Sequence, residues 1–194
     1  MKNRKELLKD YLDAVKTNCV RDFMEQCIET LPEYWFNAPA SFSGHFHPQY
    51  AHGEGGLMRH TLGILHFAKR LLENDMYRNK FTEREMDLIY VACLMHDSRK
   101  CGSDEDYKES KRTRFDHPLL AADVIRSMKG YYITEEEKEF VASAVEAHMG
   151  QWNTNGEITL PLPQTNSQKF VHLVDYLASM RECEITFNTD IEEH

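Results

Sequence analysis

The sequence predicts an all-α fold in a single domain, and three observations support this prediction. Apolar residues recur at helical spacing in several stretches. Two capping boxes, at Thr82–Glu85 and Thr134–Glu137, mark helix starts. No alternation of apolar and polar residues typical of strands persists for long. The 194 residues suffice for one domain with a sizeable core, which we divide into N-terminal helices and loop (1–49) and a core (50–187).

The predicted helices follow from local signals in chain order. Pro118 suits a first helical turn, so His117 is expected at that helix's cap, and Gly150 is expected to end the helix begun at Thr134. The helices are expected over 4–30 (one or two short ones), 57–75, 82–97, from 117 onward, 134–150 and about 166–187. Residues 98–114 and 150–165 are predicted to be loops. Residues 31–56 are predicted to be a long irregular segment before the first ligand-bearing helix, and their role stays open.

Composition excludes several classes of function. The formal net charge of −9 argues against a long nucleic-acid duplex as partner but leaves small nucleotides and short single strands open. No apolar run is long enough for a membrane span, and the N-terminus leads into no apolar signal core. The five cysteines are odd in number and form no paired-ligand motif, so we expect reduced thiols in the cytoplasm. A homo-oligomer is left open.

The stretch His96-Asp97 closes an apolar run that extends from Ile89 to Met95. Adjacent helical residues project about 100° apart, so both side chains reach one point only if that point lies at the helix end. A metal ion is such a point, since an imidazole offers one nitrogen and an aspartate can bridge two ions.

Further metal-capable residues recur on the inner faces or ends of other predicted helices. Buried ionisable groups need partners, and a shared metal centre supplies one partner for all of them. The full set is His60, His96, Asp97, His117, His148 and Asp175. Four imidazoles and two carboxylates suit two divalent ions of the first transition row (Mn²⁺, Fe²⁺, Co²⁺ or Zn²⁺), whereas Mg²⁺ prefers oxygen ligands.

The order of these residues resembles that of the HD-domain metal-dependent phosphohydrolases, in particular their two-metal members. The likeness covers about residues 50–187, and it is most similar to the HD domain of 3′-5′ exoribonucleases of Gram-positive bacteria. The matching segments are Gly55–Leu62 (family "GGLLxHT"), His96–Lys100 ("HDxGK"), Asp116–Leu119 ("GHxxxG"), His148–Gly150 ("HHG") and Leu173–Met180 ("HxADxLDA"). Two departures stand out: Ser98-Arg99 replaces a small apolar residue and glycine, and Leu119–Ala122 lacks a glycine.

The resemblance implies a division of the ligands between two ions. His60, His96, Asp97 and Asp175 would hold one, and His117, His148 and the other oxygen of Asp97 the second. A hydroxide bridging the ions would hydrolyse a phosphoester in line, with Asp97 as the bridging ligand. The substrate would be a nucleotide or a short single-stranded oligonucleotide.

Phosphoryl transfer also needs cations at the phosphate oxygens. Lys100, three residues after Asp97, is the best candidate and is counted among the catalytic residues. Further candidates for substrate binding are Arg59, Arg99, Lys111, Arg112, Arg114 and His52. The basic stretch 108–114 lies between ligand pairs and is expected to form the electrostatic mouth of the site.

Other residues carry weaker expectations. His45 and His47 could touch a metal, but a surface or packing role is favoured. His172, one turn before Asp175, could orient that carboxylate. Trp152 and Tyr176 could stack on a base, although aromatic side chains more often serve a core.

Two other functions stay open at this point. The same ligands serve mixed-valence di-iron oxygenases of the HD fold, which iron content and O₂-dependent activity would reveal. A non-catalytic nucleotide-binding module is the third reading, although all six ligands are present.

Overall fold

A computed structural model of the protein describes residues 4–43, 47–130 and 132–186. The described residues are mostly helical, with one small two-stranded sheet, so the predicted all-α bundle is confirmed. The helices are α1 (Arg4–Leu7), α2 (Lys9–Leu12), α3 (Asn18–Glu29), α4 (Gly56–Leu72), α5 (Asp75–Arg78), α6 (Glu83–Met95), α7 (Asp104–Glu109), α8 (His117–Ser127), α9 (Glu135–Glu146) and α10 (Asn166–Ser179). Three short 3₁₀ helices cover Glu33–Phe36, Gln49–Ala51 and Gly150–Trp152.

Helix α6 lies at the centre of the bundle. It packs against α3, α4, α9 and α10, and every residue from Asp87 to Met95 is buried. A helix with neighbours on all sides buries its whole surface rather than a single apolar stripe. The His96-Asp97 pair therefore emerges from a helix end in the middle of the molecule.

The N-terminal helices share this core rather than lying apart. Leu8, Leu12 and Val15 belong to the same apolar cluster as α6 and α10. Asp87 of α6 accepts hydrogen bonds from the backbone N–H groups of Lys16 (2.9 Å) and Thr17 (2.8 Å). A buried carboxylate thus has its partners, and the start of α3 is fixed to the central helix.

The segment before α4 is irregular, as predicted, but it is closely packed. Arg59 of α4 donates hydrogen bonds to the backbone carbonyls of Tyr50, His52 and Glu54. Gly56 lies so near this segment that a Cβ atom there would be 2.1 Å from the carbonyl oxygen of Ala51. The chain around residue 50 is therefore held against the first turn of α4.

Several predicted boundaries were wrong. The first thirty residues form three helices instead of one or two, the predicted loop 98–114 contains α7, and α10 ends at Ser179 rather than near 187. The predicted loop 150–165 contains an antiparallel hairpin, Thr154–Asn155 with Ile158–Thr159, whose strands are exposed. Asp116, not His117, is the N-cap of α8, and α9 ends at Glu146, before His148 and Gly150.

The remaining compositional predictions concern thiols and membranes. All five cysteines are free thiols, as predicted. Within the described ranges, no helix combines the length and apolar character that a bilayer crossing requires.

Candidate metal centre

The structure brings the six predicted ligands together at one end of α6. Their ligand atoms form two groups, in each of which all atoms lie within 4.8 Å of one another. The first group is His60, His96 and Asp175, and the second is Asp97, His117 and His148. α4 and α10 supply His60 and Asp175, the end of α6 supplies His96 and Asp97, and His117 and His148 come from the start of α8 and the turn after α9.

Asp97 lies between the two groups and presents one oxygen to each. Its Oδ2 is 3.9 Å from His60 Nε2 and 3.5 Å from His96 Nε2. Its Oδ1 is 2.9 Å from His117 Nε2 and 3.7 Å from His148 Nε2. Two ligands bonded to one ion at about 2 Å each are themselves about 3 to 4 Å apart, so these separations fit a carboxylate shared by two ions.

Three of the four imidazoles are oriented by the same kind of contact. The Nδ1–H of His96 donates to Cys93 O (2.8 Å), that of His117 to Arg114 O (2.6 Å) and that of His148 to Val145 O (2.7 Å). A carbonyl can only accept, so Nδ1 carries the proton and Nε2 keeps its lone pair. Each ring therefore directs a metal-binding nitrogen into the centre.

Unpartnered atoms test whether the centre suits a metal. His96 Nε2, His60 Nδ1 and Asp97 Oδ1 are buried and form no hydrogen bond. Buried polar atoms without partners are rare, and two of these three face the ligand groups. The nitrogen-rich donor set fits the first-row divalent ions predicted from the sequence.

The ionisation states of the side chains in the centre also suit a bound cation. Burial alone raises the pKa of Asp97, but Lys100 and His96 outweigh it and hold that pKa well below its usual range. Burial alone lowers the pKa of His96, yet Asp97 and Asp175 outweigh it and raise that pKa. Burial lowers the pKa of His148 to about 3, so this imidazole is neutral and free to coordinate.

His47 is a neighbour of the centre that the sequence allowed as a metal contact, although it favoured a surface or packing role. Its buried ring lies edge-on to that of His60, with centroids 4.7 Å apart. Burial, reinforced by His60 and Lys100, lowers the pKa of His47 to about 2. Periodicity could not reveal it because the segment that carries it is irregular. His45 lies outside the described residues.

Lys100 reaches the centre, whereas the arginines predicted beside it have other contacts. The buried Lys100 places Nζ 2.5 Å from Asp97 Oδ2. Arg99 donates to the backbone carbonyls of Ser98 and Thr30, and Arg59 to the three carbonyls already described. Arg114 pairs with both oxygens of Asp116. Substrate binding by these three arginines stays a prediction that their present contacts do not favour.

The other predicted substrate contacts lie at the surface or in the preceding segment. Lys111 and Arg112 are exposed, and Lys111 Nζ lies 5.7 Å from the centre of the Tyr107 ring. His52 Nε2 lies 2.9 Å from the carbonyl oxygen of His47 and donates to it. His52 thus orients the loop that carries His47.

The sequence suggested that His172 could orient Asp175, but the side chain of His172 contacts a different group. Its Nδ1–H donates to the backbone carbonyl of His148 at 2.7 Å. Asp175 instead has its Oδ1 3.2 Å from His60 Nε2. Spacing on one helix could not show that His172 would contact the turn after α9.

Fold and site together define a helical protein with two adjoining groups of histidines and aspartates that could hold metal ions. A family model described as HD domain matches residues 57–180, a span that includes all six ligands and more than half of the chain. The chain therefore belongs to the HD domain family, which is typical of metal-dependent phosphohydrolases. No curated protein and no solved structure matched the chain. The likeness to exoribonucleases stays a prediction.

Proposed function

We propose that this protein is a metal-dependent phosphohydrolase that cleaves a phosphoester of a nucleotide or a short oligonucleotide. The observation that carries the proposal is the position of Asp97, whose two oxygens face two separate groups of buried ligands. The six side chains would hold divalent ions there, and a pair of such ions would favour in-line attack on phosphorus by stabilising charge on the attacking and leaving oxygens.

The chain's own residues prepare the centre for that chemistry. Bound divalent ions would supply an activated water and positive charge for the phosphate oxygens. Asp97 fixes the spacing of the two groups, and the carbonyls behind His96, His117 and His148 fix the ring directions. The site needs little rearrangement to become active, which is the property expected of a preorganised active site.

Lys100 supports a phosphate-bearing substrate. Its ammonium is buried beside Asp97, and a cation there can pair with a phosphate oxygen once divalent ions neutralise the carboxylate. A carbonyl substrate would have less need of this additional charge, because phosphoryl groups distribute negative charge over three oxygens.

A hydrolysis screen tests the proposal. Purified protein with Mn²⁺ would be assayed against mononucleotides, cyclic dinucleotides and short single-stranded RNA, so that phosphomonoesters and phosphodiesters are both included. We expect turnover of at least one class and its loss in Asp97→Ala. Asp123→Ala removes an exposed carboxylate on α8 and is the matched control, expected to keep full activity.

Two outcomes would contradict the proposal. One is activity retained by a folded Asp97→Ala variant, since that variant lacks the shared ligand. The other is the absence of turnover for every class in protein shown by elemental analysis to carry two metal ions. Iron content with consumption of O₂ would instead indicate an oxygenase.

A further inference from the structure

Two large aromatic side chains lie exposed and stacked on each other beside the ligand groups. Trp152 is 49% exposed and Tyr176 is 42% exposed. Their ring centroids are 5.6 Å apart with an angle of 30° between the planes. The His172 ring adjoins them, 6.0 Å from that of Trp152. We call Trp152, His172 and Tyr176 the aromatic platform.

The side chains of the aromatic platform are held in place by their helix, by a hydrogen bond and by a close backbone approach. His172 and Tyr176 are four residues apart on α10 and share one face of that helix. The hydrogen bond from His172 to His148 O fixes the ring beneath Trp152. Gly150 has a φ of +55°, and a Cβ atom there would be 2.2 Å from the His172 ring. Only glycine lets the turn that carries Trp152 approach so closely.

The aromatic platform lies on the open side of the metal centre. The side chain of Asp175 is 19% exposed, whereas each of the other five ligands is at most 3% exposed. Asp175 is therefore the most solvent-accessible of the six ligands. It directly precedes Tyr176 and lies one turn after His172, so a molecule that approaches Asp175 comes close to the platform.

We propose that the aromatic platform stacks on the nucleobase of the substrate while its phosphate lies at the ligand groups. This inference rests on the proposed function and assigns the side chains that would hold the base of its nucleotide substrate. Bases stack on aromatic side chains through flat faces that all of them share, so little base preference is expected. A protein partner docking on the exposed rings is the alternative outcome of the tests below.

A binding experiment separates this inference from the hydrolysis itself. Trp35 is fully buried, so quenching of the tryptophan fluorescence by an added ligand reports mainly on the exposed Trp152. The probes are adenosine, which has a base without phosphate, and ribose 5-phosphate, which has a phosphate without base. We expect adenosine to quench the signal and ribose 5-phosphate to leave it nearly unchanged.

Variants identify the rings responsible. Trp152 is the fluorophore, so its own variant is tested by kinetics, whereas Tyr176→Ala should weaken adenosine binding by about fivefold or more, within the range of stacking energies. Tyr132→Ala, which removes an exposed aromatic ring outside the platform, should bind adenosine like the wild type. Equal binding of adenosine to wild type and Tyr176→Ala, or no quenching in the wild type, would overturn the inference even if the protein hydrolyses phosphoesters.

Kinetics provide a second readout. For a nucleotide that the screen identifies as substrate, Trp152→Ala should raise KM about tenfold, with a much smaller change in kcat, and Trp152→Phe should restore most of the loss. The increase in KM should be larger for AMP than for ribose 5-phosphate if both are turned over. An equal effect on both compounds would indicate that Trp152 only supports the fold.

Discussion

At the residue scale, the direction of each metal-capable imidazole is set by the hydrogen-bond partners of its ring nitrogens. His96, His117 and His148 all use Nδ1 on a carbonyl three residues earlier, so their Nε2 atoms have one direction available. His60 lacks such a contact and is oriented by Asp175 instead. The ligand groups therefore hold three imidazoles fixed by the backbone and one fixed by a carboxylate.

Lys100 gives the sharpest residue-scale prediction. Lys100→Gln removes the positive charge beside Asp97 and keeps all six ligands. We expect kcat for the phosphoester substrate to fall about 10²- to 10³-fold, as for other charge-stabilising groups, because the phosphate oxygens lose a cation in a buried site. Metal content measured by elemental analysis should stay at the wild-type value.

Lys129→Gln is the control for that change, because Lys129 is an exposed lysine outside the basic stretch 108–114. It should leave kcat within about twofold of the wild type. A Lys100→Gln enzyme with normal kcat and normal metal content would contradict the assigned role of Lys100.

The sequence could indicate which histidines and aspartates come together, but not which groups the cations contact. A histidine or aspartate that lies on the apolar side of a helical pattern can be recognised from the sequence, because its spacing predicts that it faces the core. Lysine and arginine side chains are long, so the groups that they contact depend on the folded structure around them. Arg99 and Arg59 contact backbone carbonyls that no local pattern could have indicated. His47 was likewise hidden in an irregular segment.

At the scale of single elements, helix starts were the most predictable features. The capping boxes at Thr82–Glu85 and Thr134–Glu137 are present as the sequence predicted. Each depends on residues three positions apart, so the signal is entirely local. Two further capping boxes, at Ser103–Asp106 and Thr165–Gln168, begin α7 and α10. The first was overlooked because α7 has six mostly polar residues and no apolar stripe.

Glu137 joins the start of α9 to α6 and gives an element-scale prediction. Its carboxylate accepts hydrogen bonds from Thr134 N and from Arg84 of α6. The Arg84 guanidinium, together with these hydrogen bonds, lowers the pKa of Glu137 from 4.5 despite partial burial. A lowered folded-state pKa means that the contribution to stability is complete above pH 4.5 and is lost as the pH falls through the folded-state value.

Glu137→Gln keeps the length of the side chain and removes its charge. We expect the free energy of unfolding to fall by up to about 1 kcal/mol at pH 7, with a smaller difference from wild type at pH 3, where the unfolded carboxyl is mostly protonated. Urea denaturation at the two pH values measures this. Glu136→Gln, an exposed neighbour in the same turn, is the control. An undiminished difference at pH 3 would show that charge is not the cause.

At the scale of the whole molecule, α6 explains why ligands distant in sequence meet. The helices and turns that carry His60, Asp175 and His148 all pack around it or beside its end. The sequence indicated the inward faces, but not which helices are neighbours, because packing partners are set by shape and volume across the entire core. The meeting of the six side chains could be expected because buried ionisable groups need partners, whereas their division into two groups came from the resemblance to HD proteins.

Metal loading should stabilise the entire fold. Ions that bind only the folded ligand groups add free energy of unfolding by mass action, about 2.7 kcal/mol at a hundredfold excess over Kd. We expect Mn²⁺ to raise the melting temperature of chelator-treated protein and EDTA to reverse the effect. Asp97→Ala should lose most of the increase, and Asp123→Ala should keep it. Equal melting temperatures with and without Mn²⁺ would contradict a metal centre.

The carbonyls of Cys93 and Val145 belong to the last turns of α6 and α9, where a helix has acceptors without partners of its own. His96 and His148 close these two ends with one ring nitrogen and offer the other to the ligand groups. Fraying of either helix end must therefore turn an imidazole out of coordination. Amide hydrogen exchange in these two turns should consequently slow when the ions bind, so that occupancy of the centre is recorded in the backbone itself.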